Sequence, residues 1–331
     1  MIMAAAQASQ QAYLASIDAH LSDVLERYAS PISLYEPVRY LFDAGGKRIR
    51  PLLVLLAADA CGAPWQPAIP AAVAVELLHV FTLVHDDIMD RSALRRGRET
   101  VHVRWGDSVA ILAGDVMMGI AMRELEQSAR HSKHPMDVVA AFSTGLIDVC
   151  DGQALDLEFQ TRHDVTEEQY EDMITKKTAK LLEMSVAIGA TVANAPELHV
   201  RALRLFARNL GIAFQLQDDL LDVTGDASFG KTPGGDLVEG KRTWLVLAAR
   251  QRATMLDHVE LMNRFFADGG IPADQVESMR NALEAMGVLA DARTKVQSTT
   301  NAAFGYLEQL PPSAARDRLA DLAQQLMHRT T

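Results

Sequence analysis

Only two of the 331 residues are cysteine. Cys61 and Cys150 stand far apart and outside any CxxC or Cys/His cluster, so the chain offers neither a disulfide framework nor a zinc site. Glycine (20) and proline (12) are also scarce, together below the ~12% usual in globular proteins. Alternating runs of β-branched residues are nearly absent. That composition excludes a turn-rich sandwich or barrel and favours long helices. Positive charge is in deficit: 32 Lys and Arg against 43 Asp and Glu give a net charge of −11. An acidic surface argues against nucleic acid as the partner. Residues 1–21 lack the basic and apolar regions of a signal peptide. The longest apolar run, residues 71–84, contains Glu76 and His79 and is too short and too polar to cross a bilayer. A cytoplasmic protein without a transmembrane segment is expected.

Apolar residues make up 49% and charged residues 23%, enough to build a sizeable core. Segments with helical periodicity alternate with short breaks, and none of the breaks resembles a flexible linker. Thr166 followed by Glu167, Glu168 and Gln169 predicts a helix start with a capping oxygen and early negative charge. No solenoid repeat is present. The expected architecture is one all-α domain over residues 1–331.

Two acidic groups interrupt the apolar segments. His85-Asp86-Asp87-Ile88-Met89-Asp90 closes the first. Asp86 and Asp90 share a helix face, Asp87 lies close to it, and His79 points nearly the same way two turns earlier. Gln215-Leu216-Gln217-Asp218-Asp219-Leu220-Leu221-Asp222 closes the second, with Gln215, Asp218 and Asp222 at i, i+3 and i+7. Like charges at this spacing destabilise a helix, and near a helix C-terminus the macrodipole opposes them too. Six such carboxylates ask for a cation. Without Glu-x-x-His or His-Glu-x-x-His spacing they suit Mg²⁺, which is held by one or two carboxylates plus substrate phosphates.

Basic groups supply the other half of an anion site. Gly45-Gly46-Lys47-Arg48-Ile49-Arg50 puts three cations after a Gly pair and before a probable helix, Arg95-Arg96-Gly97 follows the first acidic group by five residues, and Lys176-Lys177-Thr178 and Gly240-Lys241-Arg242-Thr243 supply more. An acidic protein can then hold phosphates through metal ions, Arg forks and Lys point charges. Residues 225–232, GDASFGKT, match the P-loop pattern. A P-loop needs a strand before it and a helix at the Lys, whereas here an acidic helix precedes and Pro233-Gly234-Gly235 follows.

The ordered set GGKRIRP, HDDIMD, RRG, GQALDL, KKT, FQLQDDLLD, FGKTPGGDL and GKRT resembles the trans-isoprenyl diphosphate synthases, or polyprenyl synthetases, over residues 45–244. The resemblance implies an all-α bundle around a deep central cavity, with residues 245–331 as C-terminal helices, and a homodimer. It implies head-to-tail condensation of isopentenyl diphosphate with an allylic diphosphate. By that resemblance Asp86, Asp90 and Asp218 bind three Mg²⁺ ions, and Asp87 and Asp222 support the cluster. Arg95, Lys177, Lys231 and Lys241 touch the allylic diphosphate. Lys47, Arg50, His79 and Arg96 hold isopentenyl diphosphate. Gln153, Asp156 and Asp219 stand behind these groups. Thr178 and Gln215 turn oxygens towards a carbocation, and Phe214 packs by the homoallylic substrate. Glu99 and Trp244 depart from the family pattern without removing a ligand.

Residues before Asp86 set the depth available to the growing chain. Helical geometry nominates Thr82, one turn away. The resemblance nominates Phe81, five positions before the motif and ~7.5 Å down the helix. A large ring there and a plain DDxxD look most like a C20 geranylgeranyl diphosphate synthase. The alternatives are a C15 farnesyl or longer-chain polyprenyl synthase, or a non-catalytic partner subunit of another synthase. A partner subunit would be expected to lose metal carboxylates, and all six stand here. A class I terpene cyclase would carry a different second motif where this chain has DDLLD.

Overall fold

The computed structural model describes residues 2–225 and 234–327, with side chains from residue 10 on. Among these residues sixteen α-helices follow one another, and the only strands form one two-residue hairpin. The helices are α1 (Ile2–Arg27), α2 (Ile32–Asp43), α3 (Ile49–Ala60), α4 (Ile69–Met89), α5 (Val101–Trp105), α6 (Asp107–Ala129), α7 (Pro135–Thr161) and α8 (Glu167–Ile174). They continue with α9 (Lys180–Val192), α10 (Glu197–Thr224), α11 (Gly235–Val238), α12 (Trp244–Arg252), α13 (Leu256–Asp268), α14 (Val276–Ala285), α15 (Val288–Leu307) and α16 (Ala314–Met327). The hairpin, β1 (Leu94–Arg95) and β2 (Arg98–Glu99), follows α4, and a π-helical turn, Thr175–Ala179, joins α8 to α9. The all-α expectation holds.

The chain divides into two compact units. The first is Met1–Leu146, Met184–Arg204 and Leu310–Leu319; the second is Ile147–Glu183, Leu205–Gln309 and Ala320–Thr331.

In the first unit residues 52–58 of α3 and 71–78 of α4 are all buried. A helix apolar on every side belongs in a core. Ser128 of α6 accepts the Ala71 N–H at 2.8 Å and so satisfies one donor at the start of α4. Gly114 of α6 leaves room for the His85 ring where a Cβ would collide with it. Buried Glu124 of α6 anchors α1 by accepting from His20 and Arg27, each at 2.7 Å. Tyr13 donates to Asp59, and Arg318 donates to Tyr13 at 3.0 Å. Among the described residues two helices are long and apolar enough to cross a membrane, by length and composition alone. The most apolar 18 residues within Gln66–Met89 are 61% buried within the protein, and those within Pro135–Thr161 are 33% buried. The helix around the apolar run is longer than the run itself, and Glu76 and His79 within the run are both engaged by arginines.

The second unit is built on Phe159, Tyr170, Leu216, Trp244, Phe265 and Met279. Its helix α8 begins on the capping box that the sequence predicts: Gln169 N donates to Thr166 Oγ1 at 3.2 Å, and Thr166 N to Gln169 Oε1 at 3.0 Å. Before α12, the buried Arg242 guanidinium donates to the Gly240 carbonyl at 2.9 Å and lies 4.6 Å from the Phe266 ring centroid. A cation with carbonyl and aromatic partners fixes this turn without a carboxylate. Trp244, one of the two departures noted above, is only 5% exposed.

Candidate active site

The first acidic group closes α4, with Asp90 as its cap residue. Beside it lies a cleft lined by Gly45, Arg48, Glu76, His79, Arg95 and Arg96, among others. The cleft is framed by backbone that L-residues rarely adopt. Arg48 (φ 49°) precedes α3, and Arg96 (φ 53°) with Gly97 (φ 73°) makes the two-residue turn of the hairpin. Positive φ at both turn positions is the type I′ geometry that suits strand twist. Strain of this kind concentrates where function over-determines the backbone.

The arginines in and beside the cleft have distinct partners. Arg48 donates to buried Glu76 at 2.8 Å and to Asp18 at 3.0 Å. Arg95 grips Asp87 through Nε and Nη2, each at 2.8 Å. Arg96 donates to the Gly45 carbonyl at 2.5 Å, and the hydroxyl of Tyr40 donates to the Glu99 carbonyl at 2.9 Å. Lys47 is exposed in the Gly45–Gly46 turn. Arg50 Nη1 lies 3.0 Å from His79 Nε2. An arginine can only donate, so Nε2 accepts and the proton sits on Nδ1. Burial, then the charges of Arg50, Arg96 and Arg95, hold the His79 imidazole well below the usual histidine range. Its buried Nδ1 meets no partner among the described residues. The result is a neutral imidazole presenting one N–H among arginines, which is chemistry for an anion.

Phe81 and His85 pack ring on ring, 4.6 Å between centroids and tilted by 59°. Thr82 donates to the His79 carbonyl at 2.8 Å, so its hydroxyl is spent on its own helix.

The second acidic group lies on α10, in the second unit. Its three aspartates differ in environment. Asp218 is exposed. Asp219 is 4% exposed, and burial pushes its carboxyl up to about 7 against the lowering effect of hydrogen bonds from Tyr170 and Gln215. Asp222 accepts from the Asp236 N–H at 3.0 Å, at the start of α11. Thr178 Oγ1 donates to Gln215 Oε1 at 3.0 Å, and Gln215 Nε2 donates to Asp219 Oδ1 at 3.0 Å. Phe214 is half-buried on the same helix.

Lys177 and Thr178 sit on the π-helical turn. Lys177 donates to Asp156 of α7 at 2.5 Å. The turn is gripped by two glycines: a Cβ at Gly152 would strike the Lys177 backbone, and one at Gly211 would strike Ala179. Gln153, beside Gly152, is 8% exposed, and neither end of its amide meets a partner among the described residues. Lys241 pairs with Asp236 at 2.6 Å and Glu239 at 3.1 Å. Lys231 and the whole FGKT stretch lie outside the described residues. Helix α10, not a strand, precedes that loop, which removes the context a P-loop needs.

Among the described residues no three His, Cys, Asp or Glu side chains gather into a ready-made metal cage. Asp87, Asp219 and Asp222 each hold a protein group. The donor set is carboxylate at helix ends, which suits a hard cation that completes its shell with phosphate oxygens and water. Spacing alone overlooked Glu76, Arg48 and Tyr170, whose partners are distant in sequence. The one local signal was an acidic residue in an apolar run.

The polyprenyl synthetase family model matches residues 31–286. A geranylgeranyl diphosphate synthase of Methanosarcina mazei is 39% identical over 88% of this chain and 86% of its own length. The chain belongs to the polyprenyl synthetase family. An all-trans-nonaprenyl-diphosphate synthase of Rhodobacter capsulatus is 37% identical over 92% of each chain. The crystal structure of a geranylgeranyl pyrophosphate synthetase from Pyrococcus horikoshii superposes with a TM-score of 0.88 at 34% identity, covering 99% of this chain and all of that one. As a polyprenyl synthetase the protein is a trans-prenyltransferase. The family uses isopentenyl diphosphate and an allylic diphosphate, generally with Mg²⁺.

Proposed function

We propose that this polyprenyl synthetase condenses isopentenyl diphosphate head to tail with an allylic diphosphate and stops at C20, geranylgeranyl diphosphate. The observation that carries the condensation is the Arg50–His79 pair, a neutral N–H donor among arginines close to the first acidic group. It supplies a second diphosphate site, which a cyclase does not need. Lys47, Arg50, His79 and Arg96 hold isopentenyl diphosphate there. Asp86, Asp90 and Asp218 hold three Mg²⁺ ions with the allylic diphosphate, and Arg95, Lys177, Lys231 and Lys241 serve the same group. Mg²⁺, when bound, neutralises the diphosphate as a leaving group. Thr178 and Gln215 direct oxygens to the allylic cation, the clamped alkene attacks it, and the departing diphosphate takes the proton. Phe214 packs by the homoallylic chain. Gln153 and Asp156 support Lys177.

The C20 stop rests on Phe81, whose ring is held against His85. Relatives of similar identity carry names of C20 and nonaprenyl synthases alike, so product length comes from such positions. We infer a single working domain, because the family match runs through both units. We also infer a homodimer, because Ile111 and Met122 stand exposed on one face of α6. Cys61 and Cys150 form no disulfide, as is usual of cytoplasmic thiols.

The test is product analysis by mass spectrometry with isopentenyl diphosphate, Mg²⁺ and C5, C10 or C15 allylic primers in turn. A dominant C20 product is expected from each. A C15 stop or products of C30 and beyond would reject Phe81 as the floor. No product from any primer would favour a partner subunit or a cyclase.

A further inference from the structure

Tyr170 belongs to none of the motifs described above, yet its hydroxyl is buried against one of them. Its side chain is 2% exposed on α8 and donates to Oδ2 of Asp219. The other oxygen of Asp219 accepts from Gln215 Nε2, and Gln215 Oε1 accepts from Thr178 Oγ1, each at 3.0 Å. The four residues form one continuous chain of hydrogen bonds between α8 with its π-helical turn and one turn of α10.

The direction of that chain follows from which groups can donate. Tyr170 and Gln215 both donate to Asp219, the direction its ionised form requires. Gln215 therefore turns its NH₂ towards Asp219 and its carbonyl oxygen towards Thr178. The hydroxyl proton of Thr178 is then spent on that carbonyl, which leaves the Thr178 oxygen as an acceptor for whatever lies beyond it. Turned over, the same amide would present N–H to Thr178 and reverse the dipole. Oriented dipoles are effective on a developing charge because they need no reorganisation as it forms.

We propose that Tyr170 is a positioning residue for condensation: by holding Oδ2 of Asp219 it aims Oδ1 at Gln215 Nε2 and so keeps the oxygen of the Gln215 carboxamide on Thr178 and the allylic cation. This rests on the proposed function, in which Thr178 and Gln215 face that cation. Tyr170 touches no substrate in this scheme.

The experiment compares wild type, Tyr170→Phe, Gln215→Ala and the double variant in steady-state assays with isopentenyl diphosphate, an allylic primer and Mg²⁺. Tyr170→Phe keeps the ring and its packing. Its kcat is expected to fall about tenfold while KM for both substrates stays within about twofold, since an interaction made only in the transition state is lost. In the Gln215→Ala background the same change is expected to have no effect, because Tyr170 acts only through that amide. Unchanged kcat, or a loss of equal size in both backgrounds, would overturn the proposal. If Tyr170→Phe folds poorly by circular dichroism, Asp219→Asn replaces it in the same cycle, since an amide no longer dictates the direction of Gln215. Full kcat in that variant overturns the proposal equally. A wild-type enzyme that yields no prenyl diphosphate would instead strike at the proposed function itself.

Discussion

At His79 burial and three arginines act in the same direction, and the consequence is a pH dependence with a definite sign. The folded protein holds the imidazole neutral well below the ordinary value of 6.5, whereas the unfolded chain takes a proton near that value. Stability tied to the neutral form is therefore complete above pH 6.5 and is lost as pH falls towards the depressed folded value, by up to ~1.4 kcal/mol per pH unit. His79→Gln keeps a neutral donor and removes the titration. Thermal midpoints measured from pH 8 to pH 5 should fall more steeply for the wild type than for the variant; parallel curves would show that His79 is not held neutral. Phe81 carries a separate expectation. Its ring is propped by His85, which is itself seated over Gly114, so Phe81→Ala opens space beside Thr82 without disturbing the carboxylates. Mass spectrometry should then show products longer than C20. An unaltered product distribution would assign the floor to another residue.

The π-helical turn Thr175–Ala179 works as an element because two other helices come unusually close to it. Turns of this kind recur at functional sites, and this one carries Lys177 and Thr178. Two glycines on α7 make a controlled comparison. A Cβ at Gly152 would run into the backbone of Lys177, whereas one at Gly145 would meet the Met184 side chain, which can turn aside. Gly152→Ala should cost ~1–3 kcal/mol by overpacking and lower kcat with it, while Gly145→Ala should change the thermal midpoint only slightly. Equal effects on melting and turnover would mean that close approach at Gly152 is not what shapes the turn. These elements also mark the limit of sequence reading. The helices were legible because apolar residues recur at helical spacing and because Thr166 and Gln169 form a local cap. The π turn was not, since it depends on Gly152 and Gly211, far from it in the chain. The six carboxylates were legible as a set from their spacing. Their division of labour was not, because Arg95, Tyr170 and the α11 N–H that separate them reach the clusters by folding.

For the whole molecule the balance of charge poses the question that the sites answer. A chain of net charge −11 repels a diphosphate from most of its surface, so affinity must come from local cations strong enough to reverse the field. The basic cleft supplies arginines, but Asp86, Asp90 and Asp218 add negative charge where the allylic diphosphate is proposed to sit. In this reading neither metal nor diphosphate binds well there alone: the carboxylates repel the anion, and the metal lacks the phosphate oxygens that complete its shell. Binding of the two should be strongly coupled. A ligand present at 100 times its Kd stabilises the folded state by ~2.7 kcal/mol, which is readable as a shift in thermal midpoint. Mg²⁺ alone and inorganic diphosphate alone should each give small shifts, and the two together a shift larger than their sum. Excess chelator should remove the surplus and leave only what the arginine cleft binds by itself. Asp86→Ala should act like the chelator, because it deletes a proposed metal ligand while Arg50 and His79 remain. A diphosphate-induced shift indifferent to both chelator and Asp86→Ala would mean that the cations of the protein suffice and that the acidic groups serve some other end.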